Sequence, residues 1–563
     1  MKQSAQTYAQ FTRAITPCSP SSRATPAVTN SAPQRPLVAL SKCFDAKSAV
    51  ILGLLLAAFI GLQLLLPIGT AIKIGADEDY ELSKATLLNH GYKLYTEIWN
   101  DQPPLVTFII ANLLKHVSSS VLAPRLLTVG FSLVLISAAF TLIRSLSGVL
   151  AAWVATAMLI ASPGFLELSC SVMQEIPALA PAVAALCLLW VVPQAKWRVT
   201  EILAGAVFGF ALQMKLIGVV YLPIAGLVLW LRSSRQEGLS EAPSVRLWQL
   251  TKALCAFGAS TLLSFILLNY ITGNSLMLQL KLSWAAHFAN TRSFEYGSQA
   301  QFPFDWTVLL KNWDTTGPAL LGLCFLLGRI RRNPEVVVPI AWLGLTCAVF
   351  AMHKPWWPYY YIHNALPLCW CAGVGIALVY ESVVHPPTLE VRRHGAGGPI
   401  KRAAFSQDIG RLKQNWFGLS AVGIFIVCAT GWMATRVYLE EEGILKAPKI
   451  YTALALKEIE RFKPFANFLF SDQPIYSFHA DLPMPPHLAV ISLKRLWTGE
   501  MTNARLVAEL EAVKPRLILL GKQTTEVPYQ ELLNREYRLV YQDSADRLYA
   551  HASIVNKPAP PPL

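Results

Sequence analysis

Charge is scarce in this chain: of 563 residues, 15% are Asp, Glu, Lys or Arg, against about 25% in ordinary soluble proteins. That shortage excludes a string of soluble domains and a charged disordered chain, and the unbroken apolar blocks exclude a coiled coil. Cysteine is missing beyond Cys428, so no disulfide framework staples the C-terminal part, and none of the ten cysteines has metal-ligand spacing. Internal repeats are absent, and the C-terminal part has neither a glycine-rich phosphate loop nor a nucleophile–base pair. Acidic residues are nearly absent from residues 1–47, where Asp45 stands alone among Ser, Thr, Ala, Pro and Gln. This stretch reads as a disordered cytoplasmic tail. An acid-poor organelle transit peptide is the other reading, and a cleaved signal peptide fits poorly because the next apolar run is too long.

What fills the chain is apolar: 54% of residues are hydrophobic and the mean hydropathy is +0.41. Runs at 50–66, 121–143, 176–192, 253–271, 336–352, 359–380 and 416–434 are long enough to cross roughly 30 Å of hydrocarbon. Shorter runs at 149–161, 202–214, 216–231 and 313–327 bring the expected number of spans to eleven. The net charge of +14 then acquires a location. With the N-terminus inside, Arg144, Arg198, Arg232, Arg246, Arg329, Arg331, Arg332 and the basic residues of 392–413 fall in cytoplasmic loops, as the positive-inside rule requires. No nucleic-acid partner is needed to explain the charge. Residues 104–117 are also apolar; a span there would invert every later loop, so they read as a helix lying in the interface. An odd number of spans places residues 438–563 outside the cytoplasm.

That outer part has an α/β pattern: helical periodicity over 446–462, a short strand at 467–470, an amphipathic helix at 503–513, a buried strand at 516–520 and a hairpin over 537–549. Packing or acceptor docking suits it better than catalysis.

Polar chemistry concentrates in the first outer loop, 70–120, which carries Asp77-Glu78-Asp79-Tyr80-Glu81, Gly91-Tyr92-Lys93-Leu94-Tyr95 and Trp99-Asn100-Asp101-Gln102-Pro103-Pro104. Carboxylates at a helix start are favoured by the helix dipole; packed together at a membrane surface they also make a proton acceptor. Three further features face outward. Lys215 lies between two short apolar runs, either snorkelling to water or neutralising a lipid phosphate. Glu175 precedes Pro177 as a helix cap or a cavity group. His353, Lys354, Tyr360, Tyr361 and His363 belong to an aromatic stretch that reads as an interfacial belt or as a wall facing phosphate or sugar.

These residues, with Ala123-Pro124-Arg125-Leu126 and Lys514-Pro515-Arg516-Leu517, resemble the polytopic glycosyltransferases that use polyprenyl-phosphate sugars. These are the dolichyl-phosphate-mannose protein mannosyltransferases and aminoarabinose transferases of the GT-C fold (glycosyltransferase family 39-like), and the likeness spans most of residues 50–549. It implies a GT-C-like membrane domain at 48–437 with an extracytoplasmic α/β domain at 438–563, in the plasma (inner) membrane. It also implies transfer of a sugar, with inversion, to a protein, lipid or envelope-glycan acceptor on the outer face. By the same resemblance Asp77 is the catalytic base with Glu78 beside it, Asp79 is its rival, and Lys215, Arg125 and Lys354 hold the donor phosphate. Asp79, Asp101, Glu175, Tyr360, Tyr361 and His353 line the substrate cavity. Where the family often carries a basic residue before the paired prolines, this chain has Gln102. No cofactor is required, although Asp77-Glu78-Asp79 could hold a divalent cation. A lipid-linked-sugar flippase, or a non-catalytic member of the fold, is the alternative. Transporters usually show repeats and mid-membrane charges, and neither is present here.

Overall fold

The computed structural model describes residues 45–69, 74–75, 77–117, 120–193, 198–234, 243–288, 301–384, 403–446, 454–521, 524 and 527–557. The expected tail at 1–47 falls almost entirely outside the described residues, as do the basic residues from Arg392 to Arg402.

Each of the eleven apolar segments is helical. In chain order the helices are α1 (Ala46–Leu65), then α2 (Glu78–Asn89) and α3 (Leu105–His116) in the loop expected to be the first outer one. There follow α4 (Leu122–Ser147), α5 (Val149–Ile160), the short α6 (Phe165–Cys170), α7 (Glu175–Val191), α8 (Val199–Met214), α9 (Leu222–Ser234) and α10 (Pro243–Ile271). Next come α11 (Leu276–Phe288), α12 (Thr307–Lys311), α13 (Trp313–Arg329), α14 (Val337–Met352), α15 (Tyr361–Val384) and α16 (Ala403–Leu445). Among the described residues, seven segments are long and apolar enough to cross a membrane: those of α1, α4, α9, α10, α14, α15 and α16. The other four, α5, α7, α8 and α13, have 12 to 17 residues. At 1.5 Å per residue, 12 residues reach only about 18 Å, so by length α3 and α5, with 12 residues each, are both too short to cross alone, and length does not reproduce the expected eleven spans.

Small residues let the helices close up, as membrane packing demands in the absence of a hydrophobic drive between helices. On α8, a Cβ at Gly205 would lie 2.4 Å from Phe257 O and one at Gly209 would lie 2.5 Å from Thr261 O, so α10 rests directly on the backbone of α8. Ser260 and Ser264 of α10 donate hydroxyl hydrogen bonds to Ile202 O (2.7 Å) and Ala206 O (2.9 Å) across the same seam. The most enclosed span is the one ending in α15, 83% buried over its apolar window; the span of α16 is 6% buried and lies on the rim.

The last helix runs past the expected domain boundary at 437/438 to Leu445. Beyond it, α17 (Leu454–Phe462), α18 (Ile475–Ala480), α19 (Leu493–Trp497), α20 (Asn503–Val513) and α21 (Gln530–Glu536) surround a four-stranded sheet. Its strands are β1 (Leu469–Ser471), β2 (Leu517–Gly521), β3 (Tyr537–Gln542) and β4 (Asp546–His551), in the order β1-β2-β4-β3. β1 pairs with β2 in parallel, and the other pairings are antiparallel. The apolar core of this sheet does not close on itself. Leu82 and Ala85 of α2 and Leu105, Ile110 and Ala111 of α3 pack in one cluster with Leu456, Phe478, Leu517 and Leu548. Leu87, Leu94, Ile98 and Trp99 join Phe470, Met484, Ile518 and Leu520 in another. The first outer loop is thereby clamped between the helices and the sheet.

Candidate active site

Asp77 is the N-cap of α2, yet its carboxylate makes no capping hydrogen bond, which leaves it facing outward from a helix start whose dipole favours its charge. The backbone before it turns at Gly75 (φ +83°), where a Cβ would come within 3.0 Å of Met173 and Ser171. Only glycine permits that approach, and it brings the Asp77 N–H to Met173 Sδ at 3.3 Å. Asp77 itself is half-buried, and its Oδ2 accepts a long hydrogen bond, 3.4 Å, from the Tyr359 hydroxyl.

Glu78 takes a different place. It is fully buried, its oxygens accepting from Arg125 Nη2 (2.5 Å), Arg125 Nε (3.0 Å), Ile74 N–H and Val172 N–H. Arg125 is equally buried and also donates to Ile68 O. The expected catalytic partner and the expected phosphate ligand thus hold each other inside the protein, where a substrate cannot reach either. Asp79 is 3% exposed and accepts the Tyr80 N–H at 3.0 Å. With the oxygens of Glu78 engaged, the Asp77-Glu78-Asp79 triple does not converge on one point; among the described residues no group of three or more His, Cys, Asp or Glu is arranged to hold a metal ion.

Lys215 sits where α8 ends and the chain turns extended. Its ammonium pairs with Glu175 Oε1 and lies 5.4 Å and 5.5 Å from the ring centres of Tyr359 and Tyr360. Burial works against its positive charge, but Glu175, Tyr360 and Asp77 outweigh burial and raise its pKa above the ordinary lysine range. Tyr359 therefore joins Asp77 to Lys215, a role that no sequence pattern assigns. Tyr361 is buried one position further on, where the charges acting on it are those of Arg436 and Asp314, away from this cluster. His353 lies 5.7 Å from Tyr360, its basicity lowered by burial and by Lys494 and Lys215. Lys354 is exposed.

The far side of the cluster comes from the C-terminal domain. Asp101 pairs with Lys494 at 2.7 Å, Trp99 Nε1 donates to Glu500 (2.9 Å), and the Tyr80 hydroxyl donates to Ile491 O (3.1 Å). Trp497 stacks on Trp357 with rings 6.2 Å apart and 8° from parallel, and Trp357 stacks in turn on Tyr359. Deeper inside, Glu81 accepts from Lys84 (2.6 Å), Gln174 (2.8 Å) and Thr107 (2.8 Å), a buried network that stiffens α2 beneath Asp77. Beside Lys215 a mostly apolar cavity of about 440 Å³, lined by Leu212, Leu216, Val219, Phe257 and Phe265 among others, lies between α8, α9 and α10.

The architecture is the GT-C fold. Residues 87–272 match the dolichyl-phosphate-mannose-protein mannosyltransferase family. The chain superposes on ArnT from Cupriavidus metallidurans in the apo state (14% identity, TM-score 0.60) and bound to undecaprenyl phosphate (14%, 0.57), in both cases over 91% of this chain and 100% of that one. It also superposes on the Archaeoglobus fulgidus oligosaccharyltransferase AglB in complex with an inhibitory peptide and a dolichol-phosphate (13%, 0.54; 91% of this chain, 75% of that one). At these identities the likeness establishes the fold. No curated relative matches the sequence significantly.

Proposed function

We propose that this protein is a membrane glycosyltransferase that moves a sugar from a polyprenyl phosphate to an acceptor on the outer face of the plasma membrane. The observation that carries the reading is that Tyr359 links a carboxylate to an ammonium: its hydroxyl bonds to Asp77 and its ring centre lies 5.4 Å from the Lys215 ammonium, while Leu212 and Leu216, on either side of Lys215 in sequence, line an apolar cavity. Asp77 removes the proton from an acceptor hydroxyl or amine, which attacks the anomeric carbon from the face opposite the phosphate. The anomeric C–O bond breaks and its electron pair leaves on the phosphate oxygen, so the configuration inverts. The leaving group needs no proton because it departs as phosphate, and the Lys215 ammonium stabilises the charge that develops there. The flat faces of Trp357 and Tyr359 suit the apolar face of a sugar ring, and the 440 Å³ cavity suits the first isoprene units. No step is assigned to a metal, and EDTA is expected to leave transfer intact.

The test is donor turnover by the purified chain. Asp77→Asn is expected to lower transfer by at least a hundredfold with the melting temperature unchanged, while Asp79→Asn retains most activity because its carboxylate is enclosed and bonded to its own helix start. Loss in Asp79→Asn but not in Asp77→Asn would exchange their roles. Sugar movement across vesicles without any transfer would favour the flippase reading.

A further inference from the structure

Among the described residues of the loop that carries Asp77, Lys84 is buried against Glu81, and the position before the paired prolines is Gln102, whose amide bonds to Asp101 at 3.2 Å. The C-terminal domain brings a cation to this stretch. Lys494, on α19, lies 2.7 Å from Asp101, and the two side chains are 13% and 12% exposed, so the pair keeps some contact with solvent where the Arg125–Glu78 pair has none. One turn along α19, Trp497 stacks on Trp357, Trp357 on Tyr359, and Tyr359 bonds to Asp77. Two ring contacts and one hydrogen bond therefore connect α19 to the base. His353 lies under the influence of both Lys494 and Lys215.

We propose that Lys494 is a second cation for the donor phosphate, supplied by the C-terminal domain and held by Asp101 until an anion takes its place. This rests on the transferase reading. A polyprenyl phosphosugar is a phosphodiester with one negative charge; when the sugar leaves, the polyprenyl phosphate gains a second. Lys215 meets the first charge but is tied to the wholly buried Glu175, so it cannot follow the second. Lys494 keeps some contact with solvent and has its partner in the loop, and a short side-chain rotation transfers its ammonium from carboxylate to phosphate. Charge-assisted contacts to an anion form in either position.

Binding of undecaprenyl phosphate to the full chain in detergent tests this, with the melting temperature of every variant measured alongside. Lys494→Gln is expected to weaken binding at least tenfold, and Lys494→Arg to restore most of it. Asp101→Asn, which removes the competing carboxylate, is expected to bind as tightly as the unaltered chain or more tightly. If the pair served only to hold the domain in place, Lys494→Gln and Asp101→Asn would break the same contact and weaken binding alike; that result overturns the inference. Undiminished binding by Lys494→Gln also overturns it, with the transferase reading left standing. Failure of the unaltered chain to bind undecaprenyl phosphate removes both.

Discussion

At the scale of single residues, neighbours in sequence have been given separate duties. Asp77 and Glu78 are adjacent carboxylates, but helix geometry turns one outward and drives the other into Arg125. A wholly buried ion pair is costly to break from one side, because the partner remains charged and unpaired in the interior. Arg125→Met is therefore expected to destabilise the protein by about 3–5 kcal/mol, read as a lower melting temperature in detergent. Adding Glu78→Leu should recover much of that loss. Asp77 was singled out by the family resemblance, since the residues alone fit a solvated helix start equally well; the structure places it as the N-cap of α2 beside Tyr359. The partnership of Lys494 with Asp101 was not legible, since 393 positions separate them and a lone exposed-looking lysine in a soluble domain carries no local signal. Tyr359 was missed for a related reason: within the run Tyr359-Tyr360-Tyr361 only the direction of each ring distinguishes the three.

At the scale of elements, periodicity was a good guide where one face is apolar and the other wet: α20 spans Asn503–Val513, matching the expected helix at both ends. The last span was read too short because it was ended where charges begin. Those charges are internally paired, Arg436 with Asp314 (3.0 Å) and Glu440 with the N–H groups of Gly164 and Glu167, so the helix continues. Two element-level outcomes are expected. Gly209→Val inserts a branched side chain where the backbone of α10 already sits, and overpacking of this kind costs about 1–3 kcal/mol; because α8 ends at Lys215, the apparent KM for donor should rise as well. On α18, His479 is held down to about 4 by burial and by the nearby Arg125, whereas an unfolded histidine titrates near 6.5. The unfolded chain thus takes up a proton first as pH falls through 6.5 toward 4, and stability is lost across that window. Melting temperature against pH should show this decline, flattened in His479→Gln.

At the scale of the whole molecule, the C-terminal sheet and the first outer loop share their apolar interior. Expressed alone, residues 454–557 lack Leu82, Leu87, Leu105 and Ile110 as packing partners, so the fragment is expected to bind hydrophobic dyes and to give poorly dispersed amide resonances. A well-dispersed spectrum would show that the sheet folds unaided. From the sequence this domain looked like an appendage suited to docking, because strands and helices announce themselves locally while a core built from two distant segments does not.

The shared interior also sets a timetable for manufacture. Residues 77–111 emerge early, yet the strands that cover them are the last to be synthesised. At about 5–20 residues per second, the loop waits roughly 20 seconds to a minute and a half with its apolar face uncovered. During that interval Asp77 and Asp101 lack the wall that Trp497 and Lys494 later supply. Completion of β4 is the event that covers the loop, so a stop codon before Asp546 is expected to leave its apolar face exposed, read as aggregation of the truncated chain in detergent.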